Sequence, residues 1–124
     1  MESESQKIAL IVDDEKDLVD LMGARIERRG FKILGANTAS EALAKFESNA
    51  VSIVICDIHL GTGNGIDFYR RCRAAGSTVP FIFVSGSVGL ENHRFEIADD
   101  ESCVLMEKPI DFQELLAVVR RLVP

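Results

Sequence analysis

Continuous apolar runs, each followed by polar residues, recur along this chain and predict buried strands. Ile8–Val12, Ile53–Cys56 and Phe81–Val84 show no alternation with charged residues. Such runs are typical of parallel strands that are covered on both faces. Lys32–Ala36 is less apolar and suits a strand nearer an edge, while Val104–Glu107 predicts a short fifth strand. The pattern therefore predicts a sheet of five parallel strands.

Apolar positions at helical spacing fill the gaps between these strands. The first predicted helix has an inward face of four residues: Leu18, Leu21, Met22 and Ile26. Asp14 is well placed to cap its start, and Gly30 marks its end. This helix is expected to cover one face of the sheet.

Four more helices are predicted farther along the chain. They span about Thr38 to Ser48, Gly65 to just before Gly76, Leu90 to Ala98, and Asp111 to about Leu122. Thr38 precedes Glu41 by the spacing of a capping box. The segment from Leu90 is short, and the acidic residues that follow it oppose any extension. Strands and helices thus alternate along the whole chain.

This alternation predicts an α/β fold, a (βα)5 flavodoxin-like three-layer sandwich. Right-handed crossover connections restrict the topology, and the natural strand order is 2-1-3-4-5. In that order the carboxyl ends of strands 1 and 3 lie side by side at the switch point, where ligands bind. Asp13, Asp14 and Asp57 follow those two strands. We therefore expect these carboxylates to share one crevice.

A crevice with several carboxylates needs a cation. Two like charges about 4 Å apart repel by about 4 kcal/mol at an effective dielectric of about 20. Lys108, after the fifth strand, is one candidate, and Mg²⁺ is the other, because its preferred ligands are oxygens. Asp57 could then act as a carboxylate nucleophile toward a phosphoryl group, with Ser85 placed to hydrogen-bond a phosphoryl oxygen. The cluster predicts phosphoryl-transfer chemistry.

Length and composition bound the functions that this chain can have. It has 124 residues, which suits one domain, and a formal net charge of −6, which disfavours direct binding to nucleic acid or to an anionic membrane. Residues 1–6 are expected to form a disordered tail and residues 7–124 the domain. The start lacks the features of a signal peptide.

The three cysteines indicate a reducing compartment. The chain has an odd number of cysteines, and they are widely spaced: Cys56, Cys72 and Cys103. For these reasons we interpret them as reduced thiols. No apolar run approaches the ~20 residues of a membrane helix. We expect a cytoplasmic protein.

The order of the polar residues resembles one known family. The chain is similar to the response-regulator receiver domain of two-component signalling, the CheY-like superfamily, from Lys7 to Leu122. The resemblance rests on Asp13-Asp14, Asp57, Ser85 and Lys108-Pro109, each after a predicted strand. It implies a module that changes its surface on phosphorylation, and no catalytic turnover beyond self-catalysed phosphorylation and dephosphorylation.

The resemblance implies roles for individual residues. Asp57 would accept a phosphoryl group from a histidine kinase or a histidine phosphotransfer protein. The implied Mg²⁺ site consists of Asp13, Asp14, Asp57 and the backbone carbonyl of His59, with Asp14 binding the ion directly and Asp13 acting mainly through bound water. Lys108 would pair with Asp57 and then with the phosphoryl group, Ser85 would move toward that group, and the bond before Pro109 would be cis. His59, which would border the phosphoryl group, would tune hydrolysis or be an ordinary surface histidine.

Two features depart from the family pattern. Leu105 stands at the switch position where an aromatic residue is usual, and Gly61 stands where a proline is frequent. The glycines around Gly61 predict a soft loop. The surface of the predicted fourth helix, fifth strand and fifth helix would contact an unknown downstream protein or output domain, or a second copy in a homodimer.

Three other functions fit parts of the pattern. A receiver-like interaction module that works without phosphorylation remains open because of Leu105. An aspartyl-phosphate phosphatase would need a general acid two residues after Asp57, where His59 stands. A flavin-binding protein would share the architecture, but the acids after the first strand would repel its phosphate.

Overall fold

Five parallel strands form the centre of the computed structural model, which describes residues 6–61, 63–86, 97 and 99–124. The strands of this sheet are β1 Ile8–Val12, β2 Lys32–Ala36, β3 Ile53–Asp57, β6 Phe81–Ser85 and β7 Cys103–Glu107. A separate pair, β4 His59–Leu60 and β5 Gly63–Asn64, is antiparallel. The helices of the described residues are α1 Lys16–Glu27, α2 Ala39–Ser48, α3 Gly65–Ala74 and α4 Phe112–Leu122.

The order of the sheet is β2-β1-β3-β6-β7, and every neighbouring pair is parallel. This confirms the predicted order 2-1-3-4-5 and the α/β fold. β1 and β3 are neighbours, so the residues that follow them lie at the same edge of the sheet.

Alternate residues of each strand pack into two separate cores. On one face Val54, Phe81 and Phe83 pack with Phe68 of α3 and Ala42 of α2. On the other face the sheet packs against α1 and α4, whose buried residues include Met22, Ile26, Leu115 and Val119. Both faces of the central strands are therefore covered, which is why those strands are apolar throughout.

Two predictions for the first helix are wrong. Leu21 is 46% exposed, and Val19 is buried with Met22 and Ile26 instead. Glu15 holds the N-cap position of α1 and makes no side-chain capping hydrogen bond within the described chain, so Asp14 is not the cap.

The capping box predicted at the start of α2 is confirmed for one of its hydrogen bonds. The Thr38 hydroxyl accepts this bond from the Glu41 amide at 3.1 Å.

The loop after β3 is ordered by strand pairing. His59 pairs with Asn64 and Leu60 with Gly63, and Leu60 is 4% exposed. Gly61 thus lies next to a short antiparallel pairing, and the softness of the loop around it stays a prediction. The predicted fourth helix falls, apart from Ile97, outside the described residues.

Candidate functional site

Three carboxylates meet at the carboxyl ends of β1 and β3. Asp13 follows β1 and is fully buried, Asp57 is the last residue of β3 and is 6% exposed, and Asp14 is exposed. One oxygen from each of these three residues lies within 4.8 Å of the others. The structure thus brings together the acids that the sequence assigned to one crevice.

Lys108 is the cation that faces this cluster. Its Nζ lies 3.0 Å from Asp57 Oδ2, 3.1 Å from Asp13 Oδ2 and 3.3 Å from Glu15 Oε1. Partial burial disfavours the charge on Lys108, but Asp57 and Asp13 outweigh it and raise the pKa of the ammonium group above its ordinary value. Lys108 therefore stays protonated and offsets part of the repulsion among the acids.

Asp13 carries the largest electrostatic cost in the cluster. Its Oδ1 accepts a hydrogen bond from the Glu15 amide at 2.9 Å. Its Oδ2 accepts no hydrogen bond of good geometry from the described residues, although Lys108 Nζ is at ion-pair distance. Burial raises the pKa of the Asp13 carboxyl, and the hydrogen bond from the Glu15 amide and the nearby charge of Lys108 only partly oppose this. A further cation at Oδ2 would relieve the cost.

Asp57 is held from both sides. Its Oδ1 accepts from the His59 amide at 3.0 Å, and its Oδ2 accepts from Lys108. The first residue of α3, Gly65, donates its amide to Ile58 O at 2.8 Å. A Cβ at Gly65 would lie 2.3 Å from the Asp57 carbonyl oxygen, so only glycine permits this approach. The hairpin and α3 together fix the position of Asp57.

Ser85 completes the edge of the site. It is the last residue of β6, is fully buried, and its hydroxyl has no hydrogen-bond partner among the described residues. Its carbonyl accepts the Lys108 amide at 2.8 Å, and the Lys108–Pro109 bond that follows is cis. A buried hydroxyl of this kind needs a polar partner, and a phosphoryl oxygen would be one.

Two predicted site residues remain, His59 and Leu105. His59 is exposed at the start of β4, two residues past Asp57. Leu105 lies opposite Phe83 in the parallel pairing and is partly buried against the core of the α2 and α3 face. Leu105 thus packs as an ordinary core residue.

Sequence reasoning missed three contributors to this site. Glu15 reaches Lys108, Asn37 donates its side-chain amide to the Asp13 carbonyl at 2.9 Å, and Gly65 admits α3 to the back of Asp57. The available signal for Gly65 was a glycine at the start of a predicted helix, directly after the loop that follows Asp57. The contact of Asn37 depends on the pairing of β1 with β2 and has no local signature.

The residues present fit a hard divalent cation. The donor set consists of three carboxylate oxygens, and Mg²⁺ prefers oxygen ligands. The incompletely satisfied Oδ2 of buried Asp13 points to the same conclusion.

The fold and the acidic cluster at its edge are those of a signalling receiver domain, and the sequence comparison agrees. Residues 9–120 match the family described as the response regulator receiver domain, and the chain belongs to that family. Domains of this family act in two-component systems with histidine kinases and output domains, and they generally bind Mg²⁺ at an acidic cluster.

Individual relatives are distant in sequence and close in structure. The response regulator SaeR of Staphylococcus aureus (strain USA300) is 28% identical over 116 residues, which are 91% of this chain and 49% of SaeR. This chain therefore spans about half the length of the curated relatives it matches. A CheY-like receiver domain protein from Methanospirillum hungatei JF-1 has a TM-score of 0.84 at 28% identity, over 94% of this chain and 93% of that one. The non-phosphorylated HemR receiver domain from Leptospira biflexa has a TM-score of 0.84 at 26% identity, over 94% of each chain.

None of the helices in the described part of the chain combines the length and the apolarity needed to cross a lipid bilayer.

Proposed function

We propose that this chain accepts a phosphoryl group on Asp57 from a phosphohistidine and uses the modification to regulate a partner. The observation that carries the proposal is the position of the Asp57 carboxylate, 3.0 Å from Lys108 Nζ and grouped with Asp13 and Asp14. A carboxylate that is almost buried among two other acids and a lysine is costly as a purely structural element. Phosphoryl transfer is a reaction that uses every member of this set.

The step is a transfer of phosphorus from nitrogen to oxygen. One carboxylate oxygen of Asp57 forms the new O–P bond while the N–P bond to the donor imidazole breaks. The electron pair of that bond leaves with the imidazole nitrogen, so no oxidant or additional co-reactant is needed. Asp57 is thereby converted from a carboxylate to an acyl phosphate.

Lys108 and Ser85 receive the transferred group. Lys108 already contacts Asp57 Oδ2 and can keep its charge next to the oxygens of the phosphoryl group as negative charge develops on them. The buried Ser85 hydroxyl can donate to one of those oxygens and gain the partner that it lacks among the described residues. Ser85 would thus stabilise the product more than the free carboxylate, while Lys108 would pair with both.

We assign the ligands of Mg²⁺ to the carboxylates of Asp13, Asp14 and Asp57 and to the His59 carbonyl. The ion would supply positive charge to the phosphoryl oxygens during transfer. Asp13 and Asp57 are oriented for this by the amides of Glu15 and His59, which each hold one carboxylate oxygen.

The surface next to the site suits a protein phosphodonor. Leu21 of α1 is the exposed large hydrophobic residue of the described chain. It borders a cleft of about 300 Å³ that also includes Leu18, Ile110, Phe112 and Lys108. An apolar cleft that reaches Lys108 can seat a donor helix while its imidazole enters the acidic crevice, which supports a histidine kinase or a phosphotransfer protein as the partner.

The remaining assignments follow from the same proposal. The chain would act in the cytoplasm, where its thiols at positions 56, 72 and 103, which are free in the structure, stay reduced. His59 would influence the lifetime of the acyl phosphate. Leu105 has neither a ring nor a hydroxyl to move toward the site, so the signal would leave the domain without an aromatic switch. The downstream partner, or a homodimer contact, would read the changed surface.

Incubation with acetyl phosphate tests the acceptor. With Mg²⁺ present, intact-protein mass spectrometry should show one added phosphoryl group, which is lost in Asp57→Asn and kept in the control Asp67→Asn. Hydroxylamine should release the group, because it is an acyl phosphate. A stable adduct, or one that persists in Asp57→Asn, would contradict the assignment.

The same assay separates the alternatives. An interaction module that works without phosphorylation would remain unlabelled by acetyl phosphate and by a phosphorylated kinase domain. A phosphatase would release phosphate from a small ester in many turnovers per molecule.

A further inference from the structure

A small cleft with a basic rim lies at the end of the molecule opposite the acidic site. It forms where α1 and α4 end, next to the amino ends of β1 and β2, and has a volume of about 220 Å³. Its lining residues are Lys7, Arg29, Phe31, Leu116, Val119, Arg120, Val123 and Pro124. None of them belongs to the phosphoryl-transfer site, so the cleft needs a separate explanation.

The floor of this cleft is apolar and well ordered by packing. Phe31 is 5% exposed and Val119 is 1% exposed, while Leu116 and Val123 are half-buried. Lys7 Nζ lies 5.9 Å from the centre of the Phe31 ring and donates a 2.8 Å hydrogen bond to the Pro124 carbonyl. The cleft can therefore receive one or two apolar side chains without rearrangement.

The rim carries exposed positive charge. Arg29 and Arg120 line the cleft, and Arg28 and Arg121 stand next to them along the chain. The guanidinium groups of these four residues form no ion pair with any residue in the described part of the chain. Glu27 is the single acid in the last turns of α1 and α4. This positive surface is unusual on a chain with a net charge of −6.

The helix macrodipole explains only part of this arrangement. Cations at the carboxyl ends of α1 and α4 are favoured by the partial negative charge there. That effect needs no apolar cleft between the two helix ends. An apolar floor with a cationic rim matches a ligand that has both apolar groups and negative charge.

We propose that this cleft is a docking site for an acidic amphipathic segment of a partner protein. One or two apolar side chains of the segment fill the cleft over Phe31 and Val119, and its carboxylates pair with Arg29 and Arg120. A flat membrane cannot enter so small a concave site, and a nucleic acid has no apolar side chains to fill it. The net negative charge of the whole chain also disfavours both of those partners.

The charge distribution supports end-on docking at this surface. Asp13, Asp14, Glu15 and Asp57 lie at the carboxyl ends of the strands, and the basic rim lies at the opposite end. An acidic segment is repelled by the first end and attracted to the second, which would orient its approach. Docking at this cleft leaves Asp57 accessible, so the two sites can be occupied together.

A designed peptide tests the chemistry of the cleft. The probe is a capped helical peptide with leucines at i, i+3, i+4 and i+7 and glutamates on the opposite face. Titration into the isotopically labelled chain should shift the amide resonances of Phe31, Leu116 and Val119. A matched peptide with glutamine in place of glutamate, and another with alanine in place of leucine, should each bind at least about tenfold more weakly, which corresponds to about 1.4 kcal/mol.

Paired variants of the chain separate this cleft from general charge attraction. The double variant Arg29→Glu/Arg120→Glu should weaken binding by about tenfold or more, because two attractive contacts become repulsive. The control Arg28→Glu/Arg121→Glu makes the same change in net charge one residue away and should weaken binding by only about twofold. All four side chains are exposed, so both variants should fold and keep the acetyl phosphate labelling of the wild type. Both should lose a similar, small amount of thermal stability, because glutamates are disfavoured at the carboxyl ends of helices.

Three results would overturn the proposal. The first is no binding of the glutamate peptide at millimolar concentration, and the second is equal weakening in both double variants. The third is a preference for duplex DNA or for phosphatidylglycerol vesicles, with the same resonances shifted more strongly than by the peptide. Because no arm depends on phosphorylation, failure here leaves the role of Asp57 intact.

Discussion

At the scale of single residues, the carboxylate of Asp13 is kept at a cost in stability. Its pKa is raised in the folded chain, mainly by burial, so its protonated form is favoured by folding. A raised carboxyl pKa contributes stability that is present below the unfolded value of about 3.9 and is lost as the pH rises through the folded value. Asp13→Asn, which is uncharged, should therefore have a higher Tm than the wild type at pH 7 in EDTA. The difference should shrink as the pH is lowered toward 4, and a variant less stable than the wild type at neutral pH would contradict this.

Lys108, in contrast to the Asp13 carboxylate, is expected to stabilise the folded chain. Lys108→Met removes the ammonium group from Asp57 and Asp13 and leaves two almost buried carboxylates facing each other. We expect a loss of about 1.5–3 kcal/mol in the free energy of unfolding without Mg²⁺, measured by urea denaturation. Mg²⁺ should restore more stability to this variant than to the wild type, because the ion then has no competing cation. The control Lys32→Met, exposed at the other end of the sheet, should change stability by less than about 0.5 kcal/mol.

At the scale of elements, the start of α3 fixes the backbone of Asp57. Gly65→Ala would place a methyl group 2.3 Å from the Asp57 carbonyl oxygen and 2.8 Å from Cys56 Sγ, so α3 or β3 must shift. Overpacking of this kind costs about 1–3 kcal/mol, and the rate of labelling by acetyl phosphate should fall with it. Gly86→Ala is the control for stability, since a Cβ there would meet no atom of the described residues within 4 Å. Equal Tm values for the two variants would show that α3 does not pack closely against the backbone of Asp57.

A polar network connects the carboxyl-terminal half of α3 to the residues that precede β7. Asp100 Oδ2 accepts from the Tyr69 hydroxyl at 2.6 Å and from Arg73 Nε at 2.9 Å, and Arg73 also reaches the Ser102 hydroxyl at 2.8 Å. Burial opposes the charge on Asp100, but the bonds from Ser102, Tyr69 and Arg73 hold its pKa well below the usual range. Its contribution to stability is thus present above the unfolded pKa of about 3.9 and is lost as the pH falls through the folded value.

Replacing the arginine of this network should destabilise the fold measurably. Arg73→Met leaves the Asp100 carboxylate without its charged donor, and we expect a loss of about 1.5–3 kcal/mol at pH 7 by urea denaturation. The loss should become smaller below pH 4, where Asp100 is protonated in the unfolded chain. Arg71→Met, exposed two residues away on the same helix, should stay within about 0.5 kcal/mol of the wild type. If both variants lose the same stability, the network is not what fixes this end of α3.

At the scale of the whole molecule, the sequence predicts the sheet and the site better than the details of the helices. Continuous apolar runs identify central strands, and the carboxyl ends of parallel strands must meet, which brings Asp13 and Asp57 together. The inward face of α1 could not be predicted in this way, because Val19 packs where Gly35 of β2 leaves room: a Cβ at Gly35 would lie 2.9 Å from Val19 Cγ1. Likewise, the hairpin of β4 and β5 depends on the burial of Leu60 and has no strong local signal.

The proposed binding of Mg²⁺ links these scales, because the ion would act at the acids and its binding would be measured as global stability. A ligand that binds only the folded chain stabilises it by RT ln(1 + [L]/Kd), so millimolar MgCl₂ should raise the Tm in a concentration-dependent manner. NaCl at matched ionic strength should give a smaller shift, because it screens the carboxylates without coordinating them. Asp13→Asn removes one charged oxygen ligand from the cluster of three and should lose most of the Mg²⁺-specific shift even though its Tm in EDTA is higher. A Mg²⁺ shift of the same size in both proteins would mean that the ion binds elsewhere on the acidic surface, and the proposed ligand set would then be wrong.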